Sequence, residues 1–183
     1  EYLNYINDSS SNQLQLVNYL LDWSNLQTGR MHLEQNRVQA QGLVFNCISA
    51  LTGIAMRKNI DIKVNVPESI FIEADERLMM QVITNLVSNA IKFSDDGKII
   101  HISAERFNNE LVEFVVKDEG VGIPDNYQRR IFKFEKMFST RGTHGEKGTG
   151  LGLSIVYRII EEHGGIIKVE STLGKGTIFR IYL

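Results

Sequence analysis

The run Gln81–Ser94, QVITNLVSNAIKFS, constrains the fold more than any other part of this chain. Around it apolar residues come in pairs: Leu78/Met79, Val82/Ile83, Leu86/Val87 and Ala90/Ile91. A recurrence every three to four residues is one stripe of an α-helix. At about 100° per residue, Asn85, Asn89 and Lys92 gather on the face opposite the stripe. Two carboxamides and an ammonium on one face can hold a metal ion and an anion together. The same three residues on an ordinary amphipathic helix are simply its solvated side. The stripe therefore demands burial, while the polar face leaves function open.

A chain of 183 residues is long enough for one well-buried domain and an appendage. Its formal net charge of -2 gives no general case for nucleic-acid or membrane-surface binding. The single cysteine, Cys47, excludes an intrachain disulfide; it lies in an apolar helical pattern, where a buried free thiol fits, as does a reducing cytoplasm. No apolar run approaches the ~18–20 residues of a membrane span, and no signal peptide opens the chain. A start at Glu1 without Met reads as an excised piece, leaving open a membrane anchor in the parent.

In chain order, residues 1–27 read as a helix, with Leu3, Ile6, Leu14, Val17, Leu20/Leu21 and Ser24 near heptad spacing and Thr28-Gly29 as its stop. From Val38 onward the character changes, and Leu43/Val44, Cys47/Ile48, Leu51 and Ile54/Ala55 mark a second helix that ends near Lys58-Asn59. Ile60–Val66 alternates as a half-buried strand closed by Pro67, Ser69–Ile72 is a short extended piece, and Asp75 is placed to cap the central helix. After the turn Asp95-Asp96-Gly97 come strands over Ile99–Glu105 and Leu111–Lys117, joined through Asn108-Asn109. Residues 124–149 lack a regular pattern; a helix at Leu151–Glu162 and strands at Ile166–Glu170 and Thr177–Leu183 follow. Hairpins of strands with helices between them predict an α+β fold: a two-layer α/β sandwich with a mixed, mostly antiparallel sheet of about five strands, helices on one face, and a detached coiled-coil-like N-terminal helix.

Three stretches carry chemistry. Asp118-Glu-Gly-Val-Gly-Ile-Pro124 follows directly on a strand; an aspartate there can accept a hydrogen bond from an exocyclic amine such as that of adenine, and Gly120 and Gly122 allow backbone close to a flat ligand. A polar turn capping a strand would look the same. Gly148-Thr-Gly-Leu-Gly-Leu153 opens a helix whose exposed N–H groups favour an anion such as a triphosphate, and it matches neither the dinucleotide glycine pattern nor a P-loop. A plain helix-initiating glycine turn is the other reading. The long connection between these carries Phe132, Phe134 and Phe138, which can pin it to the core or a partner, then Ser139–Lys147, where Arg141 and Lys147 can counter phosphate charge or be solvated.

In this order the pieces resemble the ATP-binding catalytic domain of sensor histidine kinases, within the gyrase, heat-shock chaperone, histidine kinase and mismatch-repair ATPase superfamily, whose fold is the Bergerat type. Residues 1–35 resemble the second helix of the dimerisation and phosphotransfer hairpin with its linker, and 36–183 the ATP-binding domain. The resemblance implies ATP and Mg2+ as ligands. Asn89 would hold the metal, and Asn85 and Lys92 would contact phosphates or the ion's waters. Phe93 would lie against adenine, and Asp118 would take its amine in a pocket shaped by Gly120, Gly122 and Ile123. Thr177, in GKGT, would support Asp118, often through water. Gly148, Thr149, Gly150, Leu151, Gly152 and Leu153, with Arg141 and Lys147, would face the phosphates. The lid STRGTHGEK resembles one variant in the family, so its phenylalanines align less surely with the usual F-motif.

The hydrolytic branches carry a glutamate four residues before the metal-binding asparagine as general base; here that place is Asn85, a carboxamide without useful basicity. The resemblance therefore implies a protein-histidine kinase that positions ATP without fast hydrolysis. The four histidines, His32, His101, His144 and His163, lack the acidic successor of a phosphoacceptor. His144 can touch phosphate from the lid, and His163 precedes a helix-ending Gly-Gly, a place favourable to a cation. The implied partners are a histidine-bearing phosphotransfer helix, a response-regulator receiver domain and a second copy of the parent, with no nucleic acid. Without the first hairpin helix, the stripe Leu3–Leu21 would drive dimerisation. The alternatives are a pseudokinase that only docks partners, disfavoured by intact Asn89, Asp118 and GTGLGL, and an ATPase, disfavoured by Asn85.

Overall fold

The elements run β1 (Asn36–Gln39), α1 (Ala40–Arg57), β2 (Asp61–Asn65), β3 (Phe71–Ala74), α2 (Glu76–Phe93), β4 (Ile99–Arg106), β5 (Val112–Asp118), the single turn α3 (Asp125–Gln128), α4 (Gly152–Glu162), β6 (Ile166–Thr172) and β7 (Gly176–Tyr182). The computed structural model describes residues 33–108, 110–133, 140–146 and 148–183. The helix expected over residues 1–27, together with Phe134, Phe138 and Lys147, lies outside the described residues.

Strands β2, β4, β5, β7 and β6 form one sheet in that order, the β2–β4 pair parallel and the other pairs antiparallel. A parallel pair needs a crossover, and β3 with α2 supplies it. One sheet face is buried: Ile100, Ile102 and Ala104 of β4, Val112, Phe114 and Val116 of β5, Phe179 and Ile181 of β7. Their alternate neighbours His101, Glu105 and Lys117 are exposed, as the period of two requires. Helix α2 touches β4 and β5 and is flanked by α1 and α4. All eight residues of its paired stripe are buried, each large one worth about 1.5–3 kcal/mol. This is the expected α/β sandwich, with α2 as the central helix of its helical layer.

Local sequence explains most boundaries. The Asp75 carboxylate caps α2, Oδ1 accepting from the Leu78 N–H at 3.1 Å and Oδ2 from the Glu34 N–H at 3.2 Å. Cys47 is buried and burial raises its thiol pKa, as befits an inert thiol. Two features lie beyond the local pattern. Val38 lies in β1 and pairs opposite Ile72 of β3 in a separate two-stranded antiparallel ribbon, whose four-residue strands are too short to show a period of two. His163, at the end of α4, bonds across the fold. Its Nε2 accepts the Asp75 N–H at 3.0 Å, while Nδ1 lies 2.7 Å from the Ile159 carbonyl and so carries the proton. The ring ties the last turn of α4 to the first turn of α2.

The cap is testable. Asp75→Ala is expected to lower unfolding free energy in urea by about 1–2 kcal/mol, whereas Asp75→Asn, which keeps one carbonyl oxygen for Leu78, loses much less. Equal losses in the two variants would contradict a capping role.

Candidate functional site

The end of β5, the C-terminal half of α2, the segment 140–146 and the start of α4 meet at one place. Backbone contact brings the first two together. The Val121 N–H donates to the Phe93 carbonyl at 3.0 Å, and a Cβ on Gly120 would sit 2.4 Å from that oxygen, so only glycine permits the approach. Gly122 has φ of 72° and would place a Cβ 2.2 Å from the Thr172 carbonyl, which binds this turn to the end of β6. Ile123 continues the same join: its N–H donates to Ser171 Oγ at 2.8 Å, and its carbonyl accepts from Gln128 Nε2 at 2.8 Å.

At the floor lies Asp118, only 6% exposed. Its Oδ1 accepts two backbone N–H groups, Gly120 at 2.9 Å and Thr177 at 3.1 Å. Burial pushes its pKa up to about 6, against the lowering influence of those two amides. Oδ2 accepts no hydrogen bond among the described residues. Thr177 thus supports Asp118 through its backbone N–H, directly. Its hydroxyl meets Ser171 Oγ at 3.0 Å. The register between β6 and β7 sets Thr177 opposite Ser171, a pairing invisible before the hairpin forms.

On the α2 side, Asn85 Nδ2 donates to the Gln81 carbonyl at 2.9 Å, and a Cβ on Gly152 would come within 2.6 Å of Asn85 Oδ1. Gly152 therefore lets α4 begin against the polar face of α2. Asn89 is half-buried and makes no hydrogen bond among the described residues. Lys92 is half-buried too, and desolvation lowers its pKa; Nζ lies 4.8 Å from the centroid of its neighbour Phe93's ring. No side chain caps the start of α4, in contrast to α2, so its first amides are suited to an anion. Leading into it, the Leu151 N–H donates to Thr149 Oγ1 at 3.3 Å, Gly150 takes φ of 75°, and the Leu151 side chain is buried while Leu153 is half-buried.

In the long connection, Phe132 packs on Tyr157 of α4 and Phe179 of β7, with ring centroids 5.8 and 6.3 Å apart. It pins the connection to the core, as one of the two expected roles required. Arg141 is exposed and has no partner among the described residues. His144 Nε2 lies 2.8 Å from Asp96 Oδ1. The residue that sequence reasoning passed over is Lys58, 3% exposed, whose ammonium reaches both the end of α2 and Thr143. Nothing in its local pattern distinguishes it from a solvated lysine after a helix.

Taken together, the site is a buried carboxylate beside glycine-thinned backbone, then two carboxamides and a lysine on a helix, then an uncapped helix start. That order of groups suits a ligand with a flat amine-bearing end and an anionic end. A family model described as histidine kinase-, DNA gyrase B- and HSP90-like ATPase matches residues 74–183. The chain belongs to this family. Within it, the domain is the ATP-binding domain of a sensor histidine kinase. The circadian input-output histidine kinase CikA of Synechococcus elongatus is 32% identical over 189 aligned positions, covering 100% of this chain and 24% of that protein. Full-length ShkA, solved in complex with AMPPNP, matches with a TM-score of 0.81 at 29% identity over 99% of this chain and 37% of its own. Histidine kinase ThkA, solved with the response regulator protein TrrA, matches with a TM-score of 0.77 at 28% identity over 100% of this chain and 50% of its own. The chain thus spans about a quarter of CikA's length and half or less of the two solved chains.

The raised pKa of Asp118 has a measurable consequence for stability. A carboxyl raised to about 6 binds its proton more tightly folded than unfolded. Its cost is therefore absent in acid and grows as pH rises through about 6, reaching roughly 3 kcal/mol. Asp118→Asn keeps both amide hydrogen bonds through its carbonyl oxygen. The stability of this variant relative to the wild type is expected to rise by about 1 kcal/mol between pH 5 and pH 8, read by urea unfolding. A pH-independent difference would show that Asp118 is not desolvated.

Proposed function

We propose that this chain is the nucleotide-binding part of a protein-histidine kinase, which binds Mg-ATP and delivers its γ-phosphoryl to a histidine on a phosphotransfer helix, for relay to a response-regulator aspartate. The observation that carries this reading is Asp118: a charged, desolvated carboxylate held by Gly120 and Thr177 at a cost in stability. Such a group is retained for a ligand that donates to it, and the amine of adenine does. Phe93, at the same end of α2, offers the base an aromatic surface. The amides at Gly148–Leu153 and the Lys92 ammonium suit the phosphates, with Arg141, Lys147 and Thr149 beside them in the chain.

Among the described residues no group of three His, Cys, Asp or Glu is placed to hold a metal ion. A hard cation would instead be held between the Asn89 carboxamide oxygen, with Asn85 nearby on the same face, and the nucleotide's own phosphates, a donor set of oxygens that fits Mg2+. When bound, Mg2+ neutralises charge on the transferring phosphoryl group. The chain's part is to bind, orient and keep water inactive. Asn85 stands where a hydrolytic enzyme needs a base; its Nδ2 is bonded to Gln81 and it takes no proton. Residues 1–35 are proposed as the second helix of the dimerisation hairpin, which would make the parent a homodimer that carries its own phosphoacceptor. No described helix is long and apolar enough to cross a membrane, and the buried free Cys47 fits a cytoplasmic setting.

Calorimetric titration of Mg-ATP, with phosphate release followed in the same sample, tests the reading. Binding with negligible release is expected, and phosphoryl transfer should appear only when a histidine-bearing hairpin is added. Asp118→Asn should lose at least tenfold in affinity while its fold persists. Steady turnover by the chain alone would favour an ATPase, and undiminished affinity in the variant would remove Asp118 from the adenine site.

A further inference from the structure

Lys58 follows α1 and lies outside every stretch with a recognisable nucleotide motif, yet it is among the few buried charged residues. Its Nζ donates to the carbonyls of Ile91 at 3.1 Å, Lys92 at 3.1 Å and Ser94 at 3.3 Å, which are the orphan acceptors at the end of α2. Thr143 Oγ1 at 2.8 Å and Glu146 Oε1 at 2.7 Å also lie within its reach, so its three N–H groups are shared among five acceptors. Thr143 completes the join, its hydroxyl donating to the Ser94 carbonyl at 2.8 Å and its N–H to the Lys92 carbonyl at 3.1 Å. The segment itself is closed by the Gly142 N–H on the Glu146 carbonyl at 2.9 Å and the His144 N–H on Glu146 Oε2 at 2.9 Å. The approach is tight: a Cβ on Gly142 would lie 2.7 Å from the Lys92 carbonyl oxygen and 2.6 Å from Lys92 Cγ.

One ammonium therefore joins two parts of the site that are far apart in sequence. On one side is the last turn of α2, which bears Lys92 and Phe93. On the other is a segment that ends at Glu146, two residues before the glycine run that opens α4. With a solvated lysine that segment would keep only the Thr143 bonds to the end of α2, whereas the buried one adds a charged anchor there. A charge removed from water at this depth is costly unless its partners must be held together.

We infer that Lys58, with Thr143 and Glu146, is a positioning latch that sets the stem of Lys92 and the path of the 148–152 run toward the phosphate end of the nucleotide. The inference rests on the nucleotide reading above. Its signature is selective: a latch acting on the phosphate end changes affinity for ATP but not for adenosine, which lacks phosphates. General loosening of the fold changes both.

Three variants of the full chain separate these cases. Lys58→Met removes the ammonium. Thr143→Val removes one hydroxyl without altering charge. Gly142→Ala removes no polar group and forces the segment off the Lys92 backbone. Calorimetry with Mg-ATP and with adenosine is expected to show a loss of threefold or more for Mg-ATP in each variant, and less than twofold for adenosine. Thr143→Val, half-buried in a loop, should fold even where Lys58→Met does not. Equal losses for the two ligands, or none in Thr143→Val and Gly142→Ala, would overturn the latch and leave the nucleotide reading intact. A wild-type chain that binds neither ligand would overturn both.

Discussion

Burial of the paired stripe of α2 is the constraint on which the rest depends. Eight apolar side chains from Leu78 to Ile91 vanish against the sheet and the two flanking helices. Their burial fixes the rotation of the helix about its axis. Asn85, Asn89 and Lys92 are then carried to the edge of the helical layer, where they stay half-exposed beside the start of α4 and the end of β5. The site is thus a by-product of packing: a rotation of α2 by one residue would bury a carboxamide and unseat the core together. Because the core sets the register, the polar groups need no separate device to hold their direction.

Among the buried charged residues, which include Asp75 and Glu113, Lys58 and Asp118 are treated differently. Lys58 is surrounded by carbonyls, a hydroxyl and a carboxylate, so its charge is compensated within the fold. Asp118 receives two amides on one oxygen and no cation, and desolvation wins: its pKa rises to about 6. A carboxylate left this short of partners is a place where the folded chain is incomplete by itself. The contrast separates a charge compensated within the fold from one left desolvated, which is the mark of a candidate functional group.

Legibility in the sequence followed the length over which each signal could repeat. The α2 stripe, the Asp75 cap, the β4–β5 and β6–β7 strands and the buried Cys47 were readable because period, cap chemistry and composition are local properties. The ribbon of β1 with β3 was not, since four-residue strands carry no period. Among site residues, Asp118 and the glycines at 120 and 122 were recognisable from their place after a strand. Support for Asp118 by the Thr177 amide was not, because it needs the register of β7 on β5 and β6. His163 was legible only in part for the same reason: its position before Gly-Gly is local, but its acceptor bond to the Asp75 amide spans 88 residues.

The sequence by itself determined the class of fold, the central helix and its polar face, and the residue types able to meet a base, a cation and phosphates, since each is written in spacing a few residues long. Tertiary structure alone decided that these groups converge, that Asp118 is desolvated while Lys58 is compensated, and that the segment from Gly142 to Glu146 rests on the end of α2. Those outcomes depend on contacts such as Lys58 with Thr143, 85 residues apart. Distance in space and the loss of water are properties of the packed chain, and no local pattern carries them.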